Sequence, residues 1–133
     1  MSEKTMRKHL IKVLRKLDAK SIESPMQPGI PDMNYVGGWI ELKWLKEWPK
    51  RPETMVAMDH FTREQRVWLR RRARAGGVVW VMLQVGREWM LFQGDHAARY
   101  LGVVPYEGLK KLATLYFSDG LDGKALLALL KNN

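Results

Sequence analysis

Residues 30–44 of the 133-residue chain, IPDMNYVGGWIELKW, set Asp32, Glu41 and Lys43 into a run otherwise rich in strand formers. Two carboxylates and an amine at such spacing suit the capture of a hard cation and the handling of a phosphodiester. Gly37-Gly38 reads as a two-residue hairpin turn, because both positions of the favoured turn need positive φ. Asn34 then faces Glu41, and Asp32 faces Lys43. Side chains alternate along a strand, so Asp32, Asn34, Glu41 and Lys43 share one side, and Met33, Tyr35, Ile40, Leu42 and Trp44 take the other. Asp32 and Glu41 become diagonal neighbours at roughly 7 Å between Cβ atoms, a separation over which two carboxylates can share one cation. Mg²⁺, for which Mn²⁺ can substitute, wants oxygen ligands, keeps several waters and commonly completes its shell with a substrate phosphate. Such a cation stabilises hydroxide, and Lys43, a compact mobile cation, would orient the attacking water or offset charge on phosphorus. The same spacing also admits a plain ion pair between Asp32 and Lys43 on a solvated face, and a β-bulge would change the register.

The elements around this hairpin follow from periodicity. Residues 5–17 place Met6, Leu10, Val13, Leu14 and Leu17 on one helical stripe, with Arg7, Lys8 and Lys12 among the cations turned away from it. One turn earlier, Glu3 falls on the inward stripe, where it either serves the site or only complements the positive helix N-terminus at a frayed end. KSIESPMQPG is a loop, and KEWPKRPETMVAMDH a long polar one, of a length that is often functional. FTREQRVWLRRRARAGG is a helix capped by Thr62 and ended by Gly76-Gly77, with Arg63, Arg66, Arg70 and Arg74 as a continuous outward stripe and Gln65 among Phe61, Trp68 and Leu69 on the other side. Strands VVWVMLQV and EWMLFQ flank Gly86-Arg87, the first apolar enough to be central. GDHAARYLG, YEGLKKLATLYF and DGKALLALLKN read as three further helices. The expected fold class is α/β, a small mixed central sheet flanked by helices, in one domain spanning 1–133.

Composition narrows the partners. Twenty-three Lys and Arg against 14 Asp and Glu leave a net charge of +9, a field that attracts polyanions, so nucleic acid is the expected partner ahead of a solubility surface or a membrane-facing patch. There is no cysteine, which excludes disulfides, thiolate zinc and a cysteine nucleophile, and leaves metal binding to oxygen or to His9, His60 and His96. No run of eighteen uncharged apolar residues could span a bilayer, and MSEKTMRKHL has no secretion pattern, so a cytoplasmic location without membrane contact is expected. The six tryptophans read mostly as core rather than as stacking surfaces.

Pro31-Asp32 followed by Glu41-Leu42-Lys43 resembles the PD-(D/E)xK signature of the restriction-endonuclease-like nucleases. PGIPDM, IELKW and FTREQ, in that order, resemble the VRR-NUC branch, close to archaeal-type and phage Holliday junction resolvases. The valine-arginine-arginine triplet that names the branch is not present as such in VWLRRRARAGG. The resemblance covers residues 3–93 and implies an αβββαβ core, with residues 95–133 as a helical extension. It implies Asp32, Glu41, the Leu42 carbonyl and Glu3 as Mg²⁺ ligands, Lys43 as the catalytic lysine and Gln65 as a helper placing nucleophile or substrate. Glu23 is the alternative first acid, and Thr62 with Gln65 also forms a plain capping box.

The activity so implied is Mg²⁺-dependent endonucleolytic hydrolysis of DNA, at Holliday junctions or other branched structures, by a homodimer in a bacterial or phage-infected cell. Phosphates would be held by Arg63, Arg66, Arg70, Arg74, Lys8 and Lys12 without reading bases. The apolar C-terminal helix is the surface the sequence offers for a twofold interface. Two alternatives stand beside this reading: a basic nucleic-acid-binding module without catalysis, and a nuclease directed at RNA.

Overall fold

The computed structural model describes residues 2–23 and 26–133. A six-stranded mixed sheet runs in the order β1-β2-β3-β4-β5-β6, built from Lys20–Ser21, Met33–Tyr35, Gly38–Leu45, Val79–Val85, Glu88–Gln93 and Leu115–Phe117. Only β3 and β4 are parallel; every other neighbouring pair is antiparallel. Parallel neighbours need a crossover. Helix α2, Arg63–Arg74, supplies it, and the expected αβββαβ order is present once α1, Glu3–Val13, is counted ahead of the first strand. Strand β4 is buried along its whole length and central, as its uninterrupted apolar run requires.

Helices cover both faces. Met6, Leu10 and Leu14 join Leu126 and Leu130 of α5, Gly123–Lys131, against Met33, Tyr35, Ile40, Leu42, Met82 and Leu91 on one side. On the other, Leu69 of α2, Ala97 and Ala98 of α3 (Gly94–Tyr100) and Leu109 of α4 (Tyr106–Leu112) cover Val81, Leu83, Met90 and Phe92. Val56, Met58 and Phe61 of the long loop are buried in that second cluster, so the loop is anchored rather than solvated. Trp48 from the same loop, with Tyr106 and Tyr116, donates hydrogen bonds to the Glu88 carboxylate. Among the described residues no helix is long and apolar enough to cross a membrane.

Three expectations are corrected. The hairpin turn is Val36-Gly37, with Tyr35 opposite Gly38, Asn34 opposite Trp39 and Met33 opposite Ile40. Neither Gly37 nor Gly38 has a positive φ; Gly38 is a strand residue, and a Cβ on it would collide with the Val78 carbonyl that accepts from the Trp39 N–H. Glycine is thus required for close strand approach rather than for the turn. YEGLKKLATLYF is not one helix: it stops at Leu112, and Leu115–Phe117 pairs with β5, where two aromatics fit a pleated surface. Residues 95–133 are therefore part of the sheet and its cover, and Leu126 and Leu130 of α5, the helix expected as an interface, are buried in the chain's own core.

Candidate active site

The observed register differs from the expected one by two residues. Because strand side chains repeat every two, the face assignment survives: Asp32, Asn34, Glu41 and Lys43 still share a side. The pairing changes, however. Extending Met33 opposite Ile40 by one residue sets Asp32 across from Glu41, and Asp32 has no ion pair with Lys43. Beyond the end of β2, the Leu42 N–H donates to Asp32 Oδ2 at 2.9 Å, locking the carboxylate onto the β3 edge. The Leu42 carbonyl points to the same edge, since a strand residue's N–H and C=O project the same way.

Glycine at position 29 makes this approach possible. Its φ is +93°, and a Cβ there would collide with the Glu64 carbonyl, so the PGIPD segment lies directly against the first turn of α2. That contact brings β2, β3 and the helix start to one point.

Glu41 and Lys43 are 1% and 7% exposed, unusual for charged residues unless they are paired. Lys43 Nζ lies 3.0 Å from Glu41 Oε2 and donates to the His60 carbonyl and to Gln65 Oε1, each at 3.0 Å. Gln65 Oε1 also accepts from the Thr62 N–H at 3.0 Å, while the Thr62 hydroxyl accepts from the Gln65 N–H. The capping box expected from the sequence is present, and a contact to Lys43 that the sequence did not suggest shares its oxygen. His60 contributes its carbonyl to Lys43, and its side chain lies near enough to Glu3 to act on that carboxyl.

Arg7 was missed. Its NH2 group bridges Asp32 Oδ1 at 3.4 Å and Glu3 Oε1 at 3.5 Å, so this cation turns toward the site instead of away. The signal was present in the spacing: Glu3 and Arg7 stand four apart on one helix face. Glu3 belongs to the cluster, its carboxyl pushed upward by burial and then by Asp32. Glu23, the alternative, is exposed. Burial likewise pushes Glu41 up to about 8, Asp32 adding to the rise and Lys43 opposing it.

Glu41 Oε1 is buried without a hydrogen-bond partner. An orphaned carboxylate oxygen is costly, and a cation is one group that satisfies it. Among the described residues no three His, Asp or Glu side chains are grouped as a ready-made metal cage; Arg7 stands on Asp32 and Glu3, and Lys43 on Glu41. Magnesium commonly takes only one or two protein carboxylates, so the all-oxygen set of Asp32, Glu41 and the Leu42 carbonyl, with Glu3 beside it, fits that ion.

The expected arginine stripe is broken at Arg66. Its guanidinium lies over the Phe61 ring at 4.2 Å and donates to the carbonyls of Phe61 and Ala98, tying α2 to α3; burial lowers its pKa. Arg63, Arg70, Arg74, Lys8 and Lys12 are exposed, as expected. Arg70 and Arg74 line a surface hollow with His96 and Arg99.

No protein-family model matches the chain, and no curated protein matches it, so the VRR-NUC expectation has no family match behind it. Among solved structures, it is similar to a Holliday junction resolvase of the archaeal hyperthermophile Archaeoglobus fulgidus. The identity is 20%, the match covers 81% of this chain and 95% of that one, and the TM-score is 0.47. A likeness of that degree says nothing of chemistry.

Proposed function

We propose that the chain is a Mg²⁺-dependent endonuclease that hydrolyses DNA phosphodiester bonds, selective for branched DNA such as four-way junctions, as the PD-(D/E)xK-like words of the sequence imply. The observation that carries the reading is the buried Glu41–Lys43 pair beside a half-buried Asp32, with one Glu41 carboxylate oxygen left unsatisfied. Asp32, Glu41 and the Leu42 carbonyl, with Glu3 beside them, would hold the cation, which supplies Lewis acidity toward the phosphodiester.

Lys43 is oriented independently of that ion. Two of its three acceptors, the His60 carbonyl and Gln65 Oε1, are neutral and fixed by the start of α2. They hold the amine when Glu41 turns toward a cation, and leave one N–H to donate to a phosphate oxygen as negative charge builds there. Gln65 is thus a positioning residue. Arg7 screens Asp32 and Glu3 from each other, and its guanidinium is suited to bidentate contact with phosphate.

Exposed Arg63, Arg70, Arg74, Lys8 and Lys12 would hold the flanking backbone without reading sequence. Symmetric cutting of a four-way junction requires two copies, and Leu126 and Leu130 of α5, buried in the chain's own core, would not be available to a partner.

The test is incubation of the chain with linear duplex, single-stranded, flap and four-way-junction DNA, and matched RNA, in Mg²⁺ and in EDTA. Cutting confined to branched DNA and to the Mg²⁺ arm, abolished by Asp32→Ala and by Lys43→Ala, is the expected result. Cleavage untouched by either substitution overturns the site; binding without cleavage in every arm leaves a basic binding module.

A further inference from the structure

Two of the partly buried tryptophans, packed at the margin of the second core cluster, form a pair. Trp39 and Trp68 are half-buried, with ring centroids 5.2 Å apart and planes at 68°, and the Arg72 guanidinium lies over both, 4.6 Å from Trp68 and 5.8 Å from Trp39. Their place follows from two periodicities. Trp39, Glu41 and Lys43 alternate onto one face of β3, while Gln65, Trp68 and Arg72 fall on one stripe of α2. Strand and helix run in opposite directions, so Lys43 meets Gln65 at one end of this row and Trp39 meets Trp68 and Arg72 at the other. The row places Trp39 about 7 Å along the strand from Glu41.

We propose that Trp68 and Arg72, backed by Trp39, form a stacking platform for an unpaired nucleotide beside the phosphodiester held at Asp32, Glu41 and Lys43. The proposal rests on the nuclease reading and deepens it by assigning the part of the substrate that the carboxylates and lysine do not touch. Arg72 is exposed and makes no ion pair among the described residues, although the surface carries acidic groups. Its stem occupies the space over Gly77 that a Cβ would fill, 2.6 Å from Arg72 Cδ, and its guanidinium rests on the two indoles. An arginine so placed presents a flat, weakly hydrated cation on which a base can stack, with donors at its rim. Beside it is a surface hollow of about 350 Å³ lined by Trp68, Arg71, Arg72 and Ala75, within the range of ligand pockets of about 300–1,000 Å³. Arg71 supplies positive charge for the nucleotide's phosphate. Duplex DNA keeps its bases stacked and offers this platform nothing, so the nucleotide it takes is one from a branch point, a flap or a frayed end.

The experiment measures affinity in EDTA, where no cutting competes, for flap DNA carrying either a base or an abasic site at the unpaired nucleotide next to the branch, with 2-aminopurine at that position as a fluorescent reporter. The full chain is expected to prefer the base-bearing flap about tenfold and to change the 2-aminopurine emission. Arg72→Lys keeps the charge and the salt dependence but loses the plane, and so is expected to bring the preference close to onefold; Trp68→Leu is expected to do the same, with a melting curve to establish that it folds. Equal affinity of the full chain for the two flaps, or equal weakening of both by Arg72→Lys, overturns the platform. Base preference without Mg²⁺-dependent cutting refutes the nuclease reading and leaves the platform; cutting without base preference does the reverse.

Discussion

Replacing Glu41 by Gln should make the metal-free protein more stable at alkaline pH. The wild-type carboxyl is held at about 8 in the fold against 4.5 in the unfolded chain. Between those values the native state binds more protons than the unfolded one, so unfolding free energy falls as pH rises and levels off above about 8. The span corresponds to a ceiling of about 5 kcal/mol. Relaxation of the surrounding dipoles and water reduces what a melt registers to about 1–3 kcal/mol, or roughly 3–10 °C for a domain of this size. Glutamine keeps the shape and removes the charge, while Lys43 retains the His60 carbonyl and Gln65 Oε1 as acceptors. Thermal melts of both proteins in EDTA from pH 5 to pH 9 should coincide at the acid end and separate progressively, with Glu41→Gln the more stable. Added Mg²⁺ should then raise the wild-type melting temperature at pH 9 and leave that of the variant unchanged. A gap that is constant with pH, or a variant no more stable at pH 9, would refute the account of Glu41 as a buried carboxyl whose ionisation the fold resists.

Gly29→Ala should cost about 2–4 kcal/mol, combining a positive φ with a collision against the Glu64 carbonyl, and should lower DNA cleavage further by moving Asp32; circular-dichroism melts and cleavage rates check both. Arg66→Ala should destabilise by about 1–2 kcal/mol, because the Phe61 and Ala98 carbonyls lose their donor, with little change in DNA affinity. Arg70→Ala and Arg74→Ala should do the opposite, each weakening binding and reducing the slope of log affinity against log salt by about 1. Glu88→Ala strands the donors of Trp48, Tyr106 and Tyr116 and should cost about 2–4 kcal/mol in a denaturant titration.

The site was legible because its members lie on regular elements. Alternation along β3 and the helical stripe of α2 place Glu41, Lys43 and Gln65 by arithmetic, the hairpin brings Asp32 just beyond β2 to the same face, and an error of two in the hairpin register is invisible to a rule of period two. The turn itself was misread because a Gly-Gly pair carries no record of whether it is needed for its φ or for its missing Cβ. Long-range packing was not legible either. Arg66 sits at a position no wheel distinguishes from solvent, and the approach of Ala98 turns it inward; for Arg7 the wheel offers the Glu3 pairing but not the approach of Asp32. The second C-terminal segment failed where local propensity competes: Leu-Tyr-Phe continues a helical pattern as readily as it ends one, and the free edge of β5 decides the outcome.

One oxygen, Gln65 Oε1, answers both to the Thr62 amide and to the Lys43 amine. Fraying of that first helical turn therefore also takes away one of the lysine's acceptors and leaves the amine to the His60 carbonyl and Glu41. Amide exchange at Thr62 would count how often that acceptor is lost, and a substitution that merely steadies the start of α2 would hold the amine more tightly without touching it.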